Sequence, residues 1–190
     1  MKSFIENYIQ DSIDTKNKIL NDSNLVLKIE EAASAIINAY KNGKKVLTAG
    51  NGGSAGDAQH IAAEFVSKFF HERPALSAIA LTTNTSILTS IGNDYDHELV
   101  FARQILAHGN EGDIFIAIST SGTSKNIVRA AQAAQERGLV TIALIGQKQS
   151  PMDNVCDYVI KVPSEVTPII QESHIMIAHI ICAIVEKSFI

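Results

Sequence analysis

Short, nearly unbroken apolar runs alternate with longer stretches of helical spacing, and this alternation constrains the chain more than any other feature. Residues 46–49, 78–82, 113–118, 140–145 and 158–162 have the length of strands and carry apolar residues at successive positions. A strand apolar on both faces has to be covered on both, which calls for a parallel sheet between two layers of helix. Helical patterns at 83–91, 99–108, 125–137 and 167–187 supply the cover, and Gly109 and Gly138 stop two of them. The expectation is an α/β fold. At 190 residues, without linker, internal repeat or low-complexity segment, the chain reads as one domain, 1–190.

The residues ahead of the first strand read as two helices spanning about 1–42. Ile5, Ile9 and Ile13 recur every fourth residue beside Phe4 and Tyr8, giving one apolar stripe. The turn formers at 21–24 precede a second helix whose buried side is Leu25, Ile29, Ala32, Ala33, Ile36, Ile37 and Tyr40, ended by Asn42 and Gly43. Such a pair either serves as an oligomerisation element or packs on its own sheet. The net charge of −4, without a basic run, argues against nucleic acid as a partner. The first residues lack the apolar core of a signal peptide. The longest apolar run, 175–185, is interrupted by His179 and falls short of the roughly 20 residues a bilayer requires. Cys156 and Cys182 have no metal-type spacing and fit a reducing compartment, so a cytoplasmic protein without membrane partners is expected.

Three stretches carry chemistry. After the first strand comes Gly50-Asn51-Gly52-Gly53-Ser54, and the spacing of Asp57, Ala58, Ile61, Ala62 and Phe65 restarts the chain as a helix at Asp57. A glycine turn feeding a helix leaves backbone N–H groups free to seat an anion. His60 and Glu64, at i and i+4, share one face of that helix. The plainer reading is a glycine-rich connection followed by two surface polar residues. The second stretch, 119–124, is crowded with hydroxyls where a strand meets a helix: Ser119, Thr120, Ser121, Thr123 and Ser124. No Gly-Lys-Ser/Thr P-loop exists, and Ala55 breaks the dinucleotide glycine pattern, so a small phosphomonoester fits better than a nucleotide. Alternatively, Ser121 or Ser124 is only a helix cap. The third stretch is the apolar last helix, where Gln171 and His179 lie two turns and roughly 80° apart, near enough to serve one cavity. A lone histidine in such a helix is more often a satisfied core residue. Asn93 and Asp94 lie in a polar stretch, 92–95, expected as a turn at a strand's carboxyl edge.

Taken together, Ala-Gly-Asn-Gly-Gly-Ser at 49–54, Asp-Ala-Gln-His at 57–60, Glu64, Ile-Gly-Asn-Asp at 91–94, Ile-Ser-Thr-Ser-Gly at 118–122 and Ile-Gln-Glu-x-His at 170–174 resemble the sedoheptulose-7-phosphate isomerases (phosphoheptose isomerases) of the sugar-isomerase (SIS) class. The likeness runs over almost the full length. It implies a flavodoxin-like three-layer α/β/α sandwich with a five-stranded parallel sheet, assembled as a homotetramer. It also implies conversion of sedoheptulose 7-phosphate to heptose 7-phosphate for lipopolysaccharide or capsule.

Residue by residue, the resemblance puts one zinc ion on His60, Glu64, Gln171 and His179. It puts phosphate contacts on Ser54, Ser119, Thr120, Ser121 and Ser124. Sugar contacts fall on Asn51, Gly52, Gly53, Asn93, Asp94 and Gln171. Lys68 and Ile169 stand where the family commonly has arginine, and Thr123 where asparagine is frequent; these changes bear on substrate tuning. In an aldose–ketose isomerisation Glu64 would be the base, also touching substrate, and His179 the acid. Two imidazoles, a carboxylate and an amide oxygen suit zinc, with nickel or cobalt as alternatives. A ligand that is also the base has to loosen its metal contact during turnover. His60 and Glu64 follow the first strand, whereas Gln171 and His179 follow the fifth, so helices from neighbouring subunits are expected to share the site. Two other readings are an isomerase or lyase for another phosphosugar, and a non-catalytic relative that binds the replication initiator. The joint presence of the four ligands favours an enzyme.

Overall fold

A computed structural model describes residues 1–190. Its first helices are α1 (Lys2–Asn21) and α2 (Ser23–Lys41), separated only by Asp22, whose carboxylate accepts the backbone N–H groups of Asn24 and Leu25. Their roles divide. Leu25, Ile29, Ala32, Ala33, Ile36 and Tyr40 bury α2 against the sheet and the last helix, whereas α1 buries only Thr15 and Ile19. The stripe of Ile5, Ile9 and Ile13 stays 55%, 53% and 46% exposed.

The sheet consists of β1 (Val46–Gly50), β2 (Ala78–Ala80), β3 (Ile114–Ser119), β4 (Val140–Gly146) and β5 (Tyr158–Val162). All pairs are parallel, in the order β2-β1-β3-β4-β5. Around it lie α3 (Gly53–Val66), α4 (Thr85–Asp94), α5 (Ala102–His108), α6 (Lys125–Glu136), α7 (Met152–Val155) and α8 (Thr167–Lys187). The alternation along each strand sorts the core into two layers. Val46, Ile114, Ile116, Ile118, Ile142, Leu144 and Ile160 pack with α2, α3 and α8. Leu47, Ala49, Phe115, Ala117, Ala143 and Ile145 pack with α5 and α6. The strand order reverses at β1 and β3, so a crevice opens at their carboxyl ends, where open α/β sheets seat ligands. The glycine turn after β1 and the hydroxyl loop after β3 both end there.

Several boundaries differ from expectation. Helix α3 begins at Gly53, one turn before Asp57, because Gly52 takes φ 55° and turns the chain directly into the helix. Helix α4 is capped by Asn84 and runs through Gly92 to Asp94, so Asn93 and Asp94 close a helix and do not form a turn. The expected 99–108 helix is a 3-10 turn at His97–Leu99 followed by α5, and short α7, entered through Pro151, gave no periodic signal. Helix α8, with mean hydropathy 1.5 over its most apolar 18 residues, is long and apolar enough to cross a bilayer by composition; the run at 175–185 understated this. Half of that window is buried within the protein, so its apolarity serves the core.

Candidate active site

The turn after β1 is glycine-rich for steric reasons. A Cβ on Gly50 would lie 2.3 Å from the Ser54 carbonyl oxygen, and one on Gly53 only 1.9 Å from Nε2 of Gln171. Gln171 on α8 therefore rests against the first turn of α3. The amino ends at the crevice are open. Asp22 and Asn84 cap α2 and α4 with their side chains, but Gly52, Ser124 and Val166 make no side-chain cap bond to α3, α6 and α8. Ser124 occupies the cap position with its hydroxyl turned away to accept from Ser119 at 3.1 Å, so the cap reading fails for it. Ser121 accepts from the backbone N–H and hydroxyl of Thr123. Free N–H groups at two helix starts, with Ser54 and Ser119 beside them, have the donors an anion seat requires. A polar cleft of about 270 Å³ adjoins the loop, lined by Thr120, Ser121, Thr123, Ser164 and Thr167 among others.

Helices α3 and α8 pack on the same face of the sheet and touch each other, and because each follows a strand of a parallel sheet they run the same way. That register brings His60 and Glu64 opposite His179. Nε2 of His60 stands 3.0 Å from Oε1 of Glu64 and 3.1 Å from Nε2 of His179. One ligand atom from each residue lies within 4.8 Å of the other two. Two imidazole nitrogens facing each other beside a carboxylate leave room between them for a proton or a cation, and the N/N/O donor set fits a divalent metal. A single chain assembles this cluster, which corrects the expectation that helices from two subunits are needed. Adjacency of α3 and α8 over the sheet suffices. Gln171, eight residues before His179, lies about 12 Å of helix rise away against Gly53.

Other residues named from sequence lie around this centre. Asn51 exchanges amide hydrogen bonds of 2.8 and 2.9 Å with buried Asn126, which aims it over the crevice. Asn93 and Asp94 are exposed on α4, where the Asn93 amide donates to the Asp94 carboxylate at 2.8 Å. Lys68 pairs with Glu72 on the surface, and Ile169 is a buried core residue. Asp57, expected to start the helix, lies in its second turn. It occupies the His60/Glu64 face, its Oδ2 is buried without a partner, and burial raises its pKa to about 6 against the opposing pull of His60. Its i−3 and i−7 spacing to His60 and Glu64 was the available signal.

His174 is fully buried, and neither ring nitrogen makes a full hydrogen bond. Burial pushes its pKa down to about 4, against a smaller upward pull from the Ile145 backbone. The unfolded chain would protonate it near 6.5 while the folded chain keeps it neutral, so stability falls as pH drops from about 6.5 to about 4. Asp57 acts with the opposite sign between about 4 and 6 and, being half-exposed, more weakly. Between pH 7 and pH 4.5 the parent should therefore lose about 2–3 kcal/mol more than His174→Leu in denaturant titrations. Equal acid losses would clear His174 of the effect.

The SIS domain family matches residues 7–146 of this chain. The chain is 56% identical to phosphoheptose isomerase 2 of Campylobacter jejuni, over 98% of this chain and 93% of that protein. It is 55% identical to phosphoheptose isomerase of Aneurinibacillus thermoaerophilus, over 99% and 95%. Among solved structures it is similar to a phosphoheptose isomerase from Francisella tularensis, with TM-score 0.93 and 38% identity over 97% of both chains. The Neisseria gonorrhoeae enzyme gives TM-score 0.91 at 38% identity over 98% of both.

Proposed function

The chain belongs to the phosphoheptose isomerases of the SIS domain family, and from that membership we propose the residue roles of its reaction. It is an aldose–ketose isomerase converting sedoheptulose 7-phosphate to D-glycero-D-manno-heptose 7-phosphate in heptose synthesis. We further propose that it works in the cytoplasm, as a homotetramer, and feeds lipopolysaccharide or capsule. The open apolar stripe of α1 and half-exposed Ile180 on α8 support self-association.

The observation that carries the reading is the pairing of an uncapped, hydroxyl-lined anion seat with the His60/Glu64/His179 cluster. Glu64 takes the proton that moves between C2 and C1, and His179 exchanges a proton with the sugar oxygens as the enediolate forms and collapses. Asn51, Gly52, Gly53, Asn93, Asp94 and Gln171 orient the sugar. Gln171, expected as a fourth ligand but resting against Gly53 two turns away, stays with the sugar, while His60, Glu64 and His179 would hold one divalent metal, zinc in this reading. When bound it polarises the carbonyl oxygen as a Lewis acid.

The phosphate sits on Ser54, Ser119, Thr120, Ser121 and Ser124, against the open starts of α3 and α6. Ser119→Ala and Ser121→Ala should each raise KM for the sugar phosphate by about 10–100-fold, since one hydrogen bond to a charged group is worth about 1.5–3 kcal/mol. Metal content should stay at the parent's level. Unchanged KM in both variants would remove the phosphate from this loop.

A further inference from the structure

Behind the cluster lies a pair of charges that the reaction itself does not use. The side chains of Arg73, in the segment between α3 and β2, and Glu186, near the end of α8, are both only 1% exposed. Buried ion pairs are weak evidence for stability, since apolar replacements often do as well. What this pair touches matters more. Arg73 donates from Nη2 to the Glu64 carbonyl at 2.7 Å and from Nη1 to the Phe65 carbonyl at 2.8 Å, satisfying the last turn of the helix that bears His60 and Glu64. Glu186 accepts the backbone N–H groups of Phe69 and Phe70 at 2.7 Å and of His71 at 3.0 Å. The segment is wrapped around its carboxylate as an anion nest. Burial alone would raise the Glu186 pKa, but these three donors and Arg73 outweigh it and keep the group ionised. Held this way, Phe69 presents its ring 5.4 Å from that of His179.

We propose that Arg73 and Glu186 are positioning residues for the metal cluster, a buried clasp that sets α3 against α8. It fixes Glu64 through its own backbone and His179 through the Phe69 ring. The inference rests on reading His60, Glu64 and His179 as metal ligands. A cage drawing ligands from two helices depends on their relative rotation, and loss of the groups that orient ligands typically costs 10–100-fold in metal affinity.

The test is zinc affinity of folded protein, measured by competition with a chromophoric chelator, together with melting of the metal-free and zinc-saturated forms. Glu186→Gln and Arg73→Met should bind zinc about 10–100-fold more weakly. The rise in melting temperature on adding zinc should shrink accordingly. Asp113→Asn is the control, because its buried pair with Lys45 lies at the amino edge of the sheet, away from the cluster. It should lower both melting temperatures together and leave zinc affinity alone. Glu186→Gln keeps the shape and one acceptor oxygen, so it serves where Arg73→Met does not fold. Zinc affinities within twofold of the parent in the folded clasp variants overturn the clasp alone. A parent that binds no zinc overturns the clasp and the metal reading together.

Discussion

Glu64→Gln should lower kcat by about 10²–10⁴-fold, the usual worth of a positioned general base. The substitution keeps shape and hydrogen-bonding capacity but removes the group that accepts the proton. Glu64 is half-buried on the inner side of the cluster, 3.0 Å from His60, while its backbone is tied to Arg73. The variant should therefore fold as the parent does. Because the carboxylate is also a proposed ligand, the assay belongs at saturating zinc, where weakened metal binding no longer limits the rate. KM for the sugar phosphate should change little, since the phosphate seat is formed by other residues. Retention of more than a tenth of kcat would move the base elsewhere, and Asp57, one helical turn before His60, becomes the next candidate.

The second large effect concerns the metal. His60→Ala removes one of two facing imidazoles that stand 3.1 Å apart, leaving a carboxylate and one histidine to hold the ion. Zinc content after dialysis against a weak chelator should fall from near one per chain to near zero, and activity should fall with it. Stability gives an independent readout. A ligand at 100 times its Kd stabilises the folded state by about 2.7 kcal/mol, so zinc should raise the melting temperature of the parent and not of His60→Ala. Full zinc stoichiometry in the variant would count against the cluster as the binding site.

How far the sequence could be read follows from what each feature depends on. The five strands were legible because continuous apolar runs bounded by glycine and polar turns have few other uses in a chain of this length. The i, i+4 spacing of His60 and Glu64 gave their shared face outright. What sequence could not give was the lateral neighbour of α3. Only the sheet order and the crossing of α8 over β4 and β5 bring His179 beside it, so a subunit boundary was wrongly placed between ligands that one chain unites. Asn93 and Asp94 looked like a turn because Gly92 precedes them, yet the Asn84 cap carries α4 past that glycine. Arg73 and Glu186 were illegible for a plainer reason. A charged residue in a loop and another near a helix end read as solvated until the fold buries them on each other.

The most direct test of the central claim is incubation of purified protein with sedoheptulose 7-phosphate in deuterated water, with and without added zinc, followed by NMR. An aldose heptose 7-phosphate should form only in the metal-loaded sample and carry deuterium at C2, because the proton passes through a side chain open to exchange with solvent. A zinc-saturated protein that leaves the ketose unchanged, with no exchange at C1, would contradict this function.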